Sequence, residues 1–172
     1  NNEQGLPITI LNAPDNTEVL VLEMGMRGFG EITSLCEVAR PDIGVVTAVG
    51  YSHTGRVGGI DGVAKAKQEL VAVLPKSGTA ILNADDGRVA AMAKHTDASV
   101  LTYGTAANGG GDVRISNLVL DDLARPSFRV DTPWGSGEVR LAISGEHMAM
   151  NAAAAIAVAG SVGVSLDAAI AA

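Results

Sequence analysis

Five residues of this chain combine a reactive type with an informative position: Glu23, His53, Lys67, Asn83 and Asp86. Glu23 closes the apolar run Glu18–Glu23, His53 follows the run Ile43–Val49, and Asn83, Asp85 and Asp86 follow Thr79–Leu82. Each run reads as a strand, and in an open parallel sheet ligands bind beyond the C-terminal ends of the strands. Three strand ends would thus bring a carboxylate, an imidazole and an amide–carboxylate cluster to one edge. That set suits a hard cation with oxygen ligands and water, the usual state of magnesium beside phosphates. The competing reading is that Asp85 and Asp86 cap the next helix and Glu23 is simply exposed. The convergence of the three ends favours function.

Lys67 is the most informative single residue. Val63, Lys67, Leu70, Val71 and Leu74 fall on one face of a helix predicted over residues 60 to 74, so the lysine interrupts an apolar stripe. Lys65 instead shares its face with Asp61, Gln68 and Glu69 and reads as solvated. Burial disfavours the charged amine and depresses its pKa. The neutral amine is a nucleophile, and carbamylation by carbon dioxide would convert it into an anionic oxygen ligand. The pattern alone favours the plainer alternative, a lysine that snorkels past the stripe to water.

The elements that must position these groups alternate. Strand-like runs at Glu18–Glu23, Ile43–Val49, Thr79–Leu82 and Ser99–Tyr103 are separated by helix-like stretches at about 31–39, 60–74 and 86–95. This order predicts an α/β fold with a mostly parallel sheet, right-handed crossovers and flanking helices. From Asp112 to Ser144 apolar and polar residues alternate around Pro126 and Trp134, which predicts an antiparallel ribbon of about three strands. The alanine-rich stretch from His147 to Val162 is helical, and Ser165 opens a last helix.

With 172 residues, 12 Lys and Arg against 19 Asp and Glu, and a formal charge of -7, the chain is a globular domain without the basic excess of a nucleic-acid or anionic-membrane binder. No apolar run reaches membrane-spanning length. A lone Cys36 makes no internal disulfide, fits a reducing compartment and reads as a small core residue. No glycine-rich phosphate loop ending in Gly-Lys-Ser/Thr is present, so nucleotide is either not bound that way or meets a loop preceding Asn1. His95 ends a helix and reads as structural. His147 opens the alanine-rich helix with Asn151 one turn on; the Asn151 amide suits either an adenine edge or a cap. Trp134 reads as the anchor of the ribbon.

Six short motifs occur in one order: Asn1-Asn2-Glu3-x-Gly5-x-Pro7; Glu23-x-Gly25 with Gly30-Glu31-Ile32; Val49-Gly50-x-x-His53; Ala66-Lys67-x-Glu69-Leu70; Leu82-Asn83-x-Asp85-Asp86; and Gly145-x-His147-x-x-x-Asn151-Ala152. None is specific alone. Together, over nearly the whole chain, they resemble the central ATP-binding domain of the Mur ligases, in the type that adds D-alanyl-D-alanine to UDP-N-acetylmuramoyl-tripeptide. The Asn-Asn-Glu start and the Ala-Lys-x-Glu-Leu form favour that type. The resemblance implies a P-loop NTPase-like domain of a cytoplasmic, monomeric bacterial ligase of peptidoglycan synthesis that works through an acyl phosphate.

Carried over by motif, Glu23, His53 and a carbamylated Lys67 would be catalytic and hold two magnesium ions. Asn83, Asp86, His147 and Asn151 would serve the ATP site, with Asn151 on adenine. Residues 1–172 would be one partial domain, its phosphate loop and N-terminal domain upstream and its C-terminal domain downstream, and inactive alone. Met148 stands where relatives often have Asn. The alternatives are a folylpolyglutamate synthase-type or other Mur ligase, or a non-catalytic α/β binding module.

Overall fold

The computed structural model describes residues 1–51 and 55–172 in full and the backbone of Thr54; the candidate His53 lies outside the described residues. The helices are α1 (Gly5–Leu11), α2 (Glu31–Ala39), α3 (Thr54–Val57), α4 (Ile60–Ala72), α5 (Gly87–Ala90), α6 (His147–Ser161) and α7 (Leu166–Ala171). The strands are β1 (Ile43–Val46), β2 (Thr79–Asn83), β3 (Ser99–Thr105), β4 (Val113–Leu120), β5 (Pro126–Thr132) and β6 (Gly135–Arg140). They form one sheet in sequential order, parallel from β1 to β4 and antiparallel from β4 to β6. The predicted α/β class, the parallel strands that begin at Ile43, Thr79 and Ser99, and the three-stranded ribbon are present.

Alternation along β2 divides the core between the two faces of the sheet. Ala80 and Leu82 pack with Ile32, Val63, Ala66, Val71 and Val89 under α2, α4 and α5. Ile81 points the other way, to Tyr103, Phe128 and Ala153 under α6. Gly44 lets α4 lie close on β1, because a Cβ there would stand 3.1 Å from both Leu70 and Leu74. Trp134 does anchor the ribbon: its ring covers Gly160 of α6 so closely that a Cβ would overlap it. Met92 and Val89 pin the stretch predicted as one helix over 86–95, which is the single turn α5 followed by a 3-10 turn, Ala91–His95.

Parallel neighbours normally need a crossover of a dozen or more residues. The seven residues 106–112 suffice between β3 and β4, because β4 pairs only with the end of β3, from Tyr103↔Val113 to Thr105↔Ile115. Asp112 closes this return by accepting hydrogen bonds from the Thr102 amide (2.7 Å) and hydroxyl (2.8 Å). From Ser116 to Leu120 β4 runs on past β3, and at ~3.3 Å per residue the ribbon projects roughly 15 Å beyond the C-terminal strand ends. The Gly145 amide bonds the Ala124 carbonyl at the ribbon's tip (2.8 Å), which brings the start of α6 to that same edge.

The expectation of a strand at Glu18–Glu23 is corrected. The segment joins no ladder, and Val19 and Val21 are 51% and 80% exposed. It faces β1 across a groove of about 680 Å³ lined by Glu18–Met24, Val45, Val46, Thr47 and Lys67. Apolar continuity shows that a segment suits burial but does not supply the neighbour that pairs with it. Two short helices, α1 and α3, carry no clear period that would predict them; α1 is held by Leu6, fully buried, and by Asn2, whose Oδ1 accepts from the Gly5 amide (3.0 Å).

Cys36 is a core residue as expected, 4% exposed. Burial, and then the nearby charge of Glu69, push its thiol up to about 11. Because the folded state keeps this proton longer than the unfolded chain, the contribution to stability is present below about pH 9 and is lost as pH rises toward about 11. Iodoacetamide at pH 8 is expected to leave the native thiol largely unmodified and to label it fully once the chain is unfolded, as read by mass spectrometry.

Candidate active site

Three side chains from three elements converge on the successive residues Thr47, Ala48 and Val49 that leave β1. Asn83, at the end of β2, donates from Nδ2 to the Thr47 carbonyl at 2.8 Å and accepts the Asp85 amide at Oδ1 at 2.9 Å. Lys67 of α4 donates from Nζ to the Ala48 carbonyl at 2.6 Å. Asp86 accepts the Val49 amide on Oδ2 at 2.8 Å, while its Oδ1 caps α5 through the amides of Arg88 (2.9 Å) and Val89 (3.2 Å). The stretch predicted to present His53 therefore leaves the sheet under the control of the conspicuous residues of the next elements.

Lys67 sits where the spacing placed it, half-buried on the α4 face that carries Val63, Leu70 and Val71. Desolvation lowers its pKa below the usual lysine value, and the charge of Asp86 opposes that shift. At the mouth of the groove the amine also finds a backbone acceptor, the Ala48 carbonyl. Glu23 and Lys67 line the same groove, and Glu23 is 84% exposed in its side chain. Asn1 links the first motif to the second, its carbonyl accepting the Gly25 amide at 2.8 Å.

Residues 1–159 match the model of the Mur ligase middle domain. The chain belongs to that family. A UDP-N-acetylmuramoyl-tripeptide--D-alanyl-D-alanine ligase of Mycobacterium tuberculosis is 44% identical over 97% of this chain and 32% of its own length. A crystal structure of MurF from Acinetobacter baumannii superposes with a TM-score of 0.91 at 32% identity, over 99% of this chain and 37% of that one. The MurF ligase of Thermotoga maritima, solved in complex with ADP, has a TM-score of 0.81 at 26% identity, over 98% of this chain and 38% of that one. This chain thus spans about a third of the length of the curated relatives it matches.

In this Mur ligase domain the remaining expected residues lie apart from the Lys67 cluster. His147 and Asn151 are exposed on the first turns of α6, which packs on the opposite face of the sheet from α4, and the Asn151 amide lies 3.5 Å from Met148 Sδ. Both stand at the edge reached by the C-terminal strand ends, through the tie of Gly145 to the ribbon tip. Among the described residues no hydrogen bond joins them to Lys67, Asn83 or Asp86, and no three His, Cys, Asp or Glu side chains gather as a ready cation site. Asp85, weighed above as a helix cap, instead fastens β3: it accepts the Thr105 amide (3.1 Å) and hydroxyl (2.8 Å). Spacing missed Glu69, placed with the solvated residues, which accepts the Gly30 amide at 2.7 Å and the Thr33 amide at 3.2 Å across to α2. It missed the Ala48 carbonyl as well, because a backbone acceptor leaves no trace in residue types. Among the described residues no helix is long and apolar enough to cross a membrane.

Proposed function

We propose that this chain is the nucleotide- and metal-handling domain of an ATP-dependent ligase that joins D-alanyl-D-alanine to UDP-N-acetylmuramoyl-tripeptide, acting as a monomer in the bacterial cytoplasm. The observation that carries the reading is the half-buried Lys67 amine, its pKa lowered by desolvation and its Nζ held 2.6 Å from the Ala48 carbonyl, in one groove with Glu23. The names of the relatives supply the substrate class.

In this reading ATP gives its terminal phosphoryl group to the tripeptide carboxylate, releasing ADP. The amine of the dipeptide then attacks the acyl phosphate and phosphate leaves. The donor set fits magnesium in kind: Glu23 and His53 as they stand, and Lys67 once modified. Two such ions, when bound, neutralise charge on the transferring phosphoryl group. Lys67 prepares itself by losing a proton to solvent, which burial eases; its amine then adds to carbon dioxide, forming an N–C bond and, after release of a second proton, a carbamate. One N–H remains on that nitrogen to keep the bond to the Ala48 carbonyl. Glu23 offers its carboxylate from the opposite wall of the groove. Asn83 and Asp86 fix the backbone between β1 and His53 and stand beside the nucleotide, while His147 and Asn151 flank the base and Asn151 reads adenine.

The test is phosphate release by the full-length protein with Mg–ATP and UDP-MurNAc-tripeptide, comparing D-alanyl-D-alanine, glutamate, alanine and no amine. Release that depends on D-alanyl-D-alanine is expected. Release with glutamate alone would assign a glutamate-adding ligase instead, and no release from folded protein would leave a binding module.

A further inference from the structure

We propose that Glu69 is a positioning residue that holds the Glu23 wall of the groove in register with Lys67. The inference rests on the reading above for its chemistry and on separate geometry for its mechanism.

Gly30 stands at the N-cap of α2; its φ of +82° suits glycine, and its lack of a side chain leaves the helix without a cap of its own. The first amides of a helix need acceptors, and a negative charge there also meets the positive end of the helix dipole. Glu69 supplies both from another helix. Its Oε1 accepts the Gly30 amide at 2.7 Å, and its Oε2 accepts the Thr33 amide and hydroxyl, each at 3.2 Å. On the adjoining loop, Glu31 accepts the Arg27 amide at 2.7 Å, and the Lys65 ammonium stands 5.7 Å from the centre of the Phe29 ring. Met26, in the middle of this loop, is buried in the core.

The loop that follows Glu23 is thus fastened to α4 by Lys65 and Glu69, the residues two before and two after Lys67. Lys65 and Phe29 are both exposed and their attraction is weak, whereas the carboxylate makes charge-assisted bonds to backbone amides. Glu69 is therefore the stronger of these two polar ties between the walls that carry Glu23 and Lys67, beside the apolar packing of Met26.

The experiment compares wild type, Glu69→Gln and Glu69→Ala in the full-length protein. The readouts are the Mg²⁺ concentration for half-maximal phosphate release, the affinity for Mg–ADP by calorimetry, and amide exchange over residues 24–33. For Glu69→Ala the Mg²⁺ requirement is expected to rise and Mg–ADP affinity to fall about 10- to 100-fold, as when residues that orient metal ligands are removed. Exchange at Gly30 and Thr33 should speed up, and KM for D-alanyl-D-alanine should hold. Glu69→Gln, which keeps one acceptor, should fall between. Faster exchange with unchanged Mg²⁺ requirement and Mg–ADP affinity would overturn the proposal, leaving Glu69 a structural cap. If wild type binds Mg–ADP but releases no phosphate, the ligase reading fails while calorimetry and exchange still decide the role of Glu69. A wild type that does not bind Mg–ADP overturns both.

Discussion

Replacing Lys67 by Ala in the full-length protein is expected to lower ligation by at least ~100-fold, the scale on which loss of a preorganised charged group acts. The substitution removes the half-buried amine proposed above as the site of carbamylation, and its bond to the Ala48 carbonyl. The local fold should persist, because Val63, Ala66 and Val71 still bury α4. Added formate or acetate, as a stand-in for the lost carbamate, is expected to restore part of the rate, and the same salts should leave wild type unchanged. Chloride at equal ionic strength is the control. Full activity in Lys67→Ala would remove the central residue from the assignment; a loss of activity accompanied by a collapse of the thermal transition would assign Lys67 to stability instead.

The second large effect is expected at Asp86, and it separates a structural from a nucleotide-contacting role. Its two oxygens serve different elements, one the Val49 amide and the other the start of α5. Asp86→Ala is expected to destabilise the protein by about 2–4 kcal/mol: loss of a cap costs about 1 kcal/mol, and the buried Val49 amide left without an acceptor costs a further 1–3 kcal/mol. Asp86→Asn keeps one oxygen but turns an amide donor toward the other amide, so it should recover only about half of that loss. Denaturant unfolding measures both. If the two variants unfold like wild type while Mg–ATP binding fails, Asp86 touches nucleotide and its backbone bonds are incidental. The expected pattern is the reverse order, lost stability first and weakened binding as its consequence.

Lys67 shows how far residue types and spacing reach. A lysine on an apolar helical face is visible from period alone, because helical geometry fixes which residues share a face, and α4 forms where that period predicted. The same local rules placed β2, β3, the ribbon and α6, since strand alternation and alanine-rich helical runs are properties of neighbours in sequence. The identities of Glu23, Asn83 and Asp86, and the order of their motifs, were likewise on the surface of the sequence, as was the family resemblance they support.

Tertiary structure alone decided what those side chains touch. Spacing offered Lys67 a path to water; the return of β1 beside α4 added the Ala48 carbonyl as a partner. Asp86 reads in the sequence as a cap or a ligand, and the fold shows the cap, with the second oxygen holding another loop. Glu69 seemed solvated because its helical face is polar, yet α2 packs there with its uncapped end turned toward it. The apolar run Glu18–Glu23 looked like a strand and joins no ladder. The physical reason is common to all four. Local sequence determines the conformation a segment prefers and the groups it presents, whereas a hydrogen bond between residues tens of positions apart depends on which backbone edges the packed sheet and helices bring within 3 Å of one another.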